Sequence, residues 1–308
     1  MSTPRSVTVV RAIKVRPDHR AEMPEHLATE EPMEIRVGGP GQAPEPLAVT
    51  MRTPGHDFEL ATGFAVTEGI ADRDDIAAVS YCDARADTPA GAPVNGAASD
   101  AEASRYNTVS VRLHHRWHAT GPGRRFAASS SCGVCGKQSI EQVEVNCAGV
   151  PAAPPVAAAV IPLLPGRLRT AQRAFARTGG LHAAGLFGPD GELWCGREDV
   201  GRHNAVDKVI GATVLDPRIL PTGSPSDSGS STARLLAGSV LMVSGRVSFE
   251  IAQKAAVAGI GTIAAVSAPS SLAVAAADRL GVAVVAFVRG DTFNVYSHPE
   301  RVAFDSRD

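Results

Sequence analysis

The chain has 308 residues, 44% hydrophobic and 20% charged, with 30 Lys and Arg against 32 Asp and Glu and a formal net charge of −2. This composition is globular and long enough for one large domain or two ordinary ones, and its balanced charge excludes the basic footprint of a nucleic-acid binder. No apolar run reaches the roughly 18 residues of a membrane span, and the opening MSTPRSVTVVRAIKV has no signal-peptide core, so a cytoplasmic protein without membrane or nucleic-acid contacts is expected.

The first third is β-rich. Partial two-residue alternation predicts strands over Val7–Val15, Met33–Val37, Leu47–Arg52 and Thr108–Leu113. Asp57 opens a predicted helix with Phe58, Ala61, Phe64 and Ala65 on one face and Gly69 at its end. Polar and Gly/Pro-rich composition predicts surface loops at 83–105 and 117–131. The Pro/Ala stretch AGVPAAPPVAAAV at 148–160 marks a boundary between a β-rich domain, 1–150, and an α/β domain, 151–308.

Beyond Arg167 helices and strands alternate. A helix is predicted over Arg167–Arg177, stopped by Gly179-Gly180. Leu181–Phe187 and Glu192–Cys195 then form a hairpin around Pro189-Asp190-Gly191, followed by a helix over His203–Leu215. After the Ser/Gly-rich tract at 222–233 come a strand (Ser239–Val243), a helix (Phe249–Ala258), a strand (Thr262–Val266), a helix (Ser271–Leu280) and a strand (Val282–Val288). These strands are continuously apolar, as parallel strands covered on both faces must be. Ligands on such sheets gather beyond the carboxyl ends of the strands. Three loops fall there: Ser244-Gly245-Arg246, Ser267 to Ser271, and Arg289-Gly290-Asp291-Thr292. Hydroxyls, glycine and two arginines suit a phosphorylated ligand; plain helix capping by Ser270 or Ser271 and a solvated arginine are the ordinary alternative.

Five cysteines, an odd number, read as thiols rather than a disulfide framework. Cys82, Cys147 and Cys195 lie in or beside apolar patterns and suit small core positions. Cys132 and Cys135, in SSSCGVCGK, stand apart. A structural zinc site wants a second thiol pair, which is missing. Nucleobase deaminases need H-x-E before P-C-x-x-C, but here no proline precedes the thiols and His182-Ala183-Ala184 lacks the glutamate. A thioredoxin-like βαβ pattern is also lacking. Gly133 and Gly136 leave the sulfurs unshielded, and Lys137 favours thiolate. These properties suit a sulfur that accepts a group and passes it on.

A second dense stretch, GREDVGRHNAVDK at 196–208, places seven ionisable side chains around two glycines before a helix. A pocket wall, a subunit contact and a solvated helix start all remain open for it. His182 is open between a satisfied core histidine and a pocket group.

The chain resembles the FdhD family of formate dehydrogenase accessory sulfurtransferases. The matching pieces are EEPMEIRV at 30–37, AVTMRTPGHDFELATGFAVTEGI at 48–70, SCGVCGK at 131–137, TGGLHAAGLF at 178–187, GREDVGRHNAVDKVIG at 196–211, SGRVSFEIAQKAAVAGI at 244–260, and the run from Ser267 through FVRGDTFNVYSHPERV to Val302. The resemblance implies an α/β protein (α+β overall) whose C-terminal half is a three-layer domain similar to cytidine deaminase without the zinc chemistry. It implies a persulfide carrier that takes sulfur from a cysteine desulfurase and passes it to the molybdenum bis-guanine-dinucleotide cofactor of formate dehydrogenase. Cys132 matches the persulfide position and Cys135 its partner. Phe287, Val288, Arg289, Gly290, Asp291 and Thr292 match the cofactor-binding loop. No directly bound metal and a homodimer are expected. The alternative is a cofactor chaperone or scaffold whose thiols do no chemistry.

Overall fold

The computed structural model describes residues 6–82, 105–118, 149–220 and 236–304. A two-stranded hairpin comes first, β1 (Val7–Arg16) and β2 (His19–Ala28), paired from Val7 opposite Ala28 to Arg16 opposite His19. The strand β2 has no apolar alternation and carries Pro24, which is tolerated because the ribbon has free edges. It was invisible to patterning because almost none of it is buried.

A four-stranded sheet follows, in the order β4 (Glu45–Arg52), β3 (Glu31–Gly38), β6 (Thr108–Leu113), β5 (Ile76–Tyr81). Period-two alternation on β3 turns Met33, Ile35 and Val37 into a core completed by Val109, Val111 and Leu113. Helix α1 (Asp57–Thr67) lies against that core through Leu60, Ala61 and Ala65. Gly69, at φ 67°, takes the left-handed conformation that ends the helical run.

The second sheet has six strands, in the order β13 (Thr292–Ser297), β12 (Ala283–Arg289), β11 (Thr262–Ala265), β10 (Val240–Val243), β8 (His182–Phe187), β9 (Leu193–Asp199). The strands β10, β11 and β12 are parallel; β8, β9 and β13 are antiparallel to their neighbours. Both faces are covered, which explains the unbroken apolar runs. Leu241, Val243, Ile263 and Val284 meet α4 (Arg202–Leu215), α5 (Phe249–Val257) and α6 (Ser271–Leu280). Val240, Met242, Ala264 and Val285 meet Ile161, Leu164 and Leu168 of a 3₁₀ segment and α2 (Leu164–Ala171). This is the expected three-layer α/β arrangement beside a β-rich N-terminal sheet. A two-residue parallel bridge, β7 (Val156–Ala157) with β14 (Val302–Ala303), ties the chain's end to the start of this half.

The strands β2, β5 and β13 were not expected, and two further details differ. The helix predicted over Arg167–Arg177 is split at Gln172 into α2 and α3 (Arg173–Thr178). The Glu198 carboxylate accepts hydrogen bonds from Ala174 N and Phe175 N at 2.9 and 2.7 Å. It satisfies amides that a helix start leaves open, which permits the break. Arg289–Thr292 does not end the sheet; it is the tight turn that sends the chain back as β13. Among the described residues no helix is long and apolar enough to cross a membrane.

The two sheets are joined by α1 crossing α4. A Cβ on Gly63 would sit 1.8 Å from Asp207 O, and one on Gly211 1.9 Å from Glu59 O. Only glycine permits that approach. Gly63→Ala or Gly211→Ala is therefore expected to lower unfolding stability by about 1–3 kcal/mol or more. Gly166→Ala, on α2 with open space around it, should be neutral or stabilising by up to about 1 kcal/mol. Guanidinium unfolding curves of the three variants check the contrast.

Candidate functional site

Parallel β10, β11 and β12 deliver their following loops to one edge of the sheet, and backbone hydrogen bonds tie those loops together. Val247 N donates to Ala268 O at 3.2 Å, Ser270 N to Val247 O at 3.0 Å, and Phe287 N to Ser267 O at 3.3 Å. The neighbouring antiparallel strand adds its beginning: Ser244 N donates to Ala183 O at 2.9 Å, and Ala183 N donates to Ser244 Oγ at 2.9 Å. The hydroxyl of Ser270 is occupied as the cap of α6, accepting from Ala273 N, so the capping alternative holds for that residue. Ser271 and Arg246 remain exposed.

The predicted cofactor loop occupies the turn between β12 and β13. Phe287 and Gly290 both have positive φ, 55° and 53°. That conformation is costly for a phenylalanine, and it directs the ring into a cleft of about 610 Å³ lined also by Ser271, Val274, Asp278 and Tyr296. Arg289 is exposed, with its guanidinium carbon 5.6 Å from the centre of the Phe287 ring. A side chain on Gly290 would meet nothing within 4 Å, so the glycine serves the backbone turn. Thr292 Oγ1 donates to Arg289 O at 3.0 Å and closes that turn; Asp291 is exposed at its tip. Val288 points the other way, 1% exposed in the core, and offers a ligand only its backbone. Cys132 and Cys135 lie outside the described residues, as do Cys147 and the 222–233 tract.

A sequence model of the FdhD/NarQ family matches residues 28–303. The chain belongs to the FdhD/NarQ family. It is 49% identical over 291 residues to the sulfur carrier protein FdhD of Mycobacterium tuberculosis, covering 91% of this chain and 92% of that protein. The protein of the same name from Streptomyces coelicolor is 46% identical over 307 residues, covering 95% and 94%. Among solved structures, a chain from Desulfotalea psychrophila described as a formate dehydrogenase accessory protein superposes with a TM-score of 0.68 at 24% identity, covering 97% of this chain and 100% of that one. That likeness carries the fold.

Within this FdhD/NarQ chain much of the dense polar stretch after Gly196 forms an internal joint, and Gly196, Arg197, Glu198 and Lys208 also line a cleft of about 290 Å³. Asp199 is fully buried and takes Lys208 Nζ at 2.7 Å, Gly201 N at 2.8 Å, Thr53 N at 3.1 Å and Asn204 Nδ2 at 3.1 Å. Lys208 Nζ also donates to Thr53 O at 2.9 Å, and Asn204 Nδ2 to Met51 O at 2.7 Å. Arg197 forks onto Glu59, and burial of Arg52 is matched by a two-point contact with Asp57. Lys254 Nζ reaches Thr67, Glu68 and Asp207 at 2.9 to 3.1 Å. Burial pushes the Asp207 carboxyl up to about 6 against the pull of Lys254. Desolvation opposes the Lys254 charge, but Asp207, Glu68 and Glu250 together hold the ammonium above its ordinary value.

Sequence reasoning missed the partners of this joint, Arg52, Asp57, Glu59 and Glu68. The available signal was charge inside an otherwise apolar stretch, which buried pairing explains. Of the described spare thiols, Cys195 takes the expected core position and Cys82 does not. Cys195 is buried, and desolvation pushes its thiol up to about 11, away from thiolate chemistry. Cys82 is half-buried with its sulfur 2.7 Å from Ser110 Oγ.

Lys208→Ala leaves the Asp199 charge buried without its cation. The expected loss is about 3–5 kcal/mol of unfolding free energy, read by denaturant titration against wild type.

Proposed function

We propose that this chain is a sulfur carrier with sulfurtransferase activity. It accepts sulfane sulfur from a cysteine desulfurase on Cys132 and delivers it to the molybdenum bis-guanine-dinucleotide cofactor, which formate dehydrogenase then uses. The structural observation carrying the ligand side is the convergence of the 244–246, 267–271 and 287–292 loops on one sheet edge, with Phe287 lining a cleft beside the exposed Arg289. The close similarity to proteins named sulfur carriers supports the sulfur side.

The chemistry begins with the Cys132 thiolate attacking the terminal sulfur of the desulfurase persulfide. The new S–S bond forms on Cys132 as the desulfurase thiolate leaves. Cys135 thiolate then attacks Cys132 Sγ, forming a Cys132–Cys135 disulfide and expelling hydrosulfide for the metal. The two cysteines supply the two electrons that reduce sulfane sulfur to sulfide. A cellular thiol reductant restores the dithiol. Arg289 holds a phosphate of the acceptor, and Gly290 lets the backbone approach it.

In this reading residues 1–150 bring the thiols and residues 151–308 bind the acceptor, in a homodimeric cytoplasmic protein.

Incubating reduced protein with a cysteine desulfurase and cysteine should add one sulfur to the peptide containing Cys132, and Cys132→Ala should abolish it, as read by intact-peptide mass spectrometry. Active formate dehydrogenase made with a Cys132→Ala/Cys135→Ala variant would instead establish the cofactor-chaperone reading. At the acceptor end, Arg289→Ala should weaken binding of guanosine diphosphate by about tenfold, the loss of one charge-assisted phosphate contact; calorimetric titration checks this, and unchanged affinity removes Arg289 from the site.

A further inference from the structure

At the carboxyl end of β10 lies a cationic group that the Phe287–Thr292 turn does not include. Gly245 is packed between two side chains: a Cβ built on it would lie 3.3 Å from His182 Nδ1 and 3.8 Å from Arg202 Cδ. Arg246 is the next residue and is exposed. The Nε of Arg202 is buried and has no hydrogen-bond partner among the described residues. Buried guanidinium donors are ordinarily satisfied, so this one is a donor prepared for an absent acceptor.

Two carboxylates of the adjoining elements are engaged elsewhere. Asp199 is consumed by Lys208, Thr53, Gly201 and Asn204, while Glu250 faces His203 and Lys254. Helix α4 starts at Arg202 without a side-chain cap or an acidic residue in its first turn, which adds partial positive charge. His182 reports the resulting field. Burial first, then the Arg202 and Arg246 charges, hold its imidazole below the ordinary histidine value, against the pull of Asp199. The ring is half-buried and lines, with Ser244, Gly179 and Gly180, a cleft of about 780 Å³.

We infer that His182, Arg202 and Arg246 form a second phosphate-binding subsite, which takes one pyrophosphate arm of the guanine-dinucleotide ligand. Naming that ligand rests on the function proposed above; the need for an anion rests on the unpartnered Arg202 Nε and its neighbours. Guanidinium groups suit phosphate because their planar fork matches two phosphate oxygens. His182, on β8, stands three strand intervals from Arg289, on β12. At about 4.8 Å per interval the two subsites are roughly 14 Å apart. A ligand with two phosphate-bearing arms can place one at each.

The test is calorimetric titration with inorganic pyrophosphate at neutral pH in an Arg289→Ala background, which removes the first subsite. Pyrophosphate should still bind. Adding Arg202→Gln or Arg246→Ala should each weaken it about tenfold, and Arg246, being exposed, can be replaced without threatening the fold. Guanosine diphosphate should compete for the subsite and guanosine should not, which separates phosphate from base recognition. Independently, the His182 ring titration followed by NMR should move to higher pH when pyrophosphate is added, because a bound anion favours imidazolium. Absent pyrophosphate binding, affinity unchanged within about twofold in both variants, or an unmoved His182 titration overturns the subsite. Persulfide formation on Cys132 is read separately. Sulfur on Cys132 with no pyrophosphate effect removes the subsite alone, and pyrophosphate binding without sulfur on Cys132 removes the carrier reading alone.

Discussion

Two helices cross here at backbone contact, and the rest of the molecule is arranged around that crossing. Gly63 of α1 lies on the Asp207 carbonyl, and Gly211 of α4 lies on the Glu59 carbonyl. The approach brings charged side chains into a space without water. Lys254 then sits among Asp207, Glu68 and Glu250, and Lys208 sits on Asp199. Taking such charges out of water is expensive, so the pairs add little net stability compared with apolar packing. They do make any slipped docking costly, because a slip would strand a buried charge. The joint consequently holds the N-terminal sheet in one relation to the three-layer half.

That rigidity matters at the adjoining edge of the six-stranded sheet. Asp199, the centre of the joint, ends β9 and lies just before α4, whose first residue is Arg202. The backbone that anchors the two halves therefore also positions the Arg202 side chain beside Gly245. Parallel pairing of β10, β11 and β12 puts three loops on that edge without further specification. Helix caps from Ser248 and Ser270 fix where α5 and α6 begin, and so fix how far each loop extends. The strained Phe287 backbone ends this row, beside the exposed Arg289.

Much of this was legible in the chain itself. The sheet strands β10 to β12 announced themselves as short apolar runs, and Ser270, Gly179 and Gly281 mark helix ends whose chemistry is local. The turn at Pro189-Asp190-Gly191 was readable because Gly191, at φ 76°, adopts a conformation that favours glycine. By contrast β2 carried no pattern, since a ribbon that buries little needs none. The break at Gln172 was hidden because its cause, Glu198, lies on another strand. Of the candidate site, the Phe287–Thr292 turn and the Gly245–Arg246 loop could be placed from strand order. The inward direction of Val288 could not, because it follows from the register of β12 against its neighbours.

By itself the sequence determined most of the element types, the alternating α/β pattern of the C-terminal half, the Cys132–Cys135 pair and, through its motifs, the family, because propensity, periodicity and motif spacing are written within a few residues of one another. Only the tertiary structure decided which charges meet. Thr53 finds Asp199 across 146 positions, and Lys254 finds Thr67 across 187. It also brought His182, Arg202 and Gly245 from three separate segments to one place. Electrostatic partners act through space at a few ångströms, and no local pattern encodes that proximity; it exists only once the sheets and helices have packed.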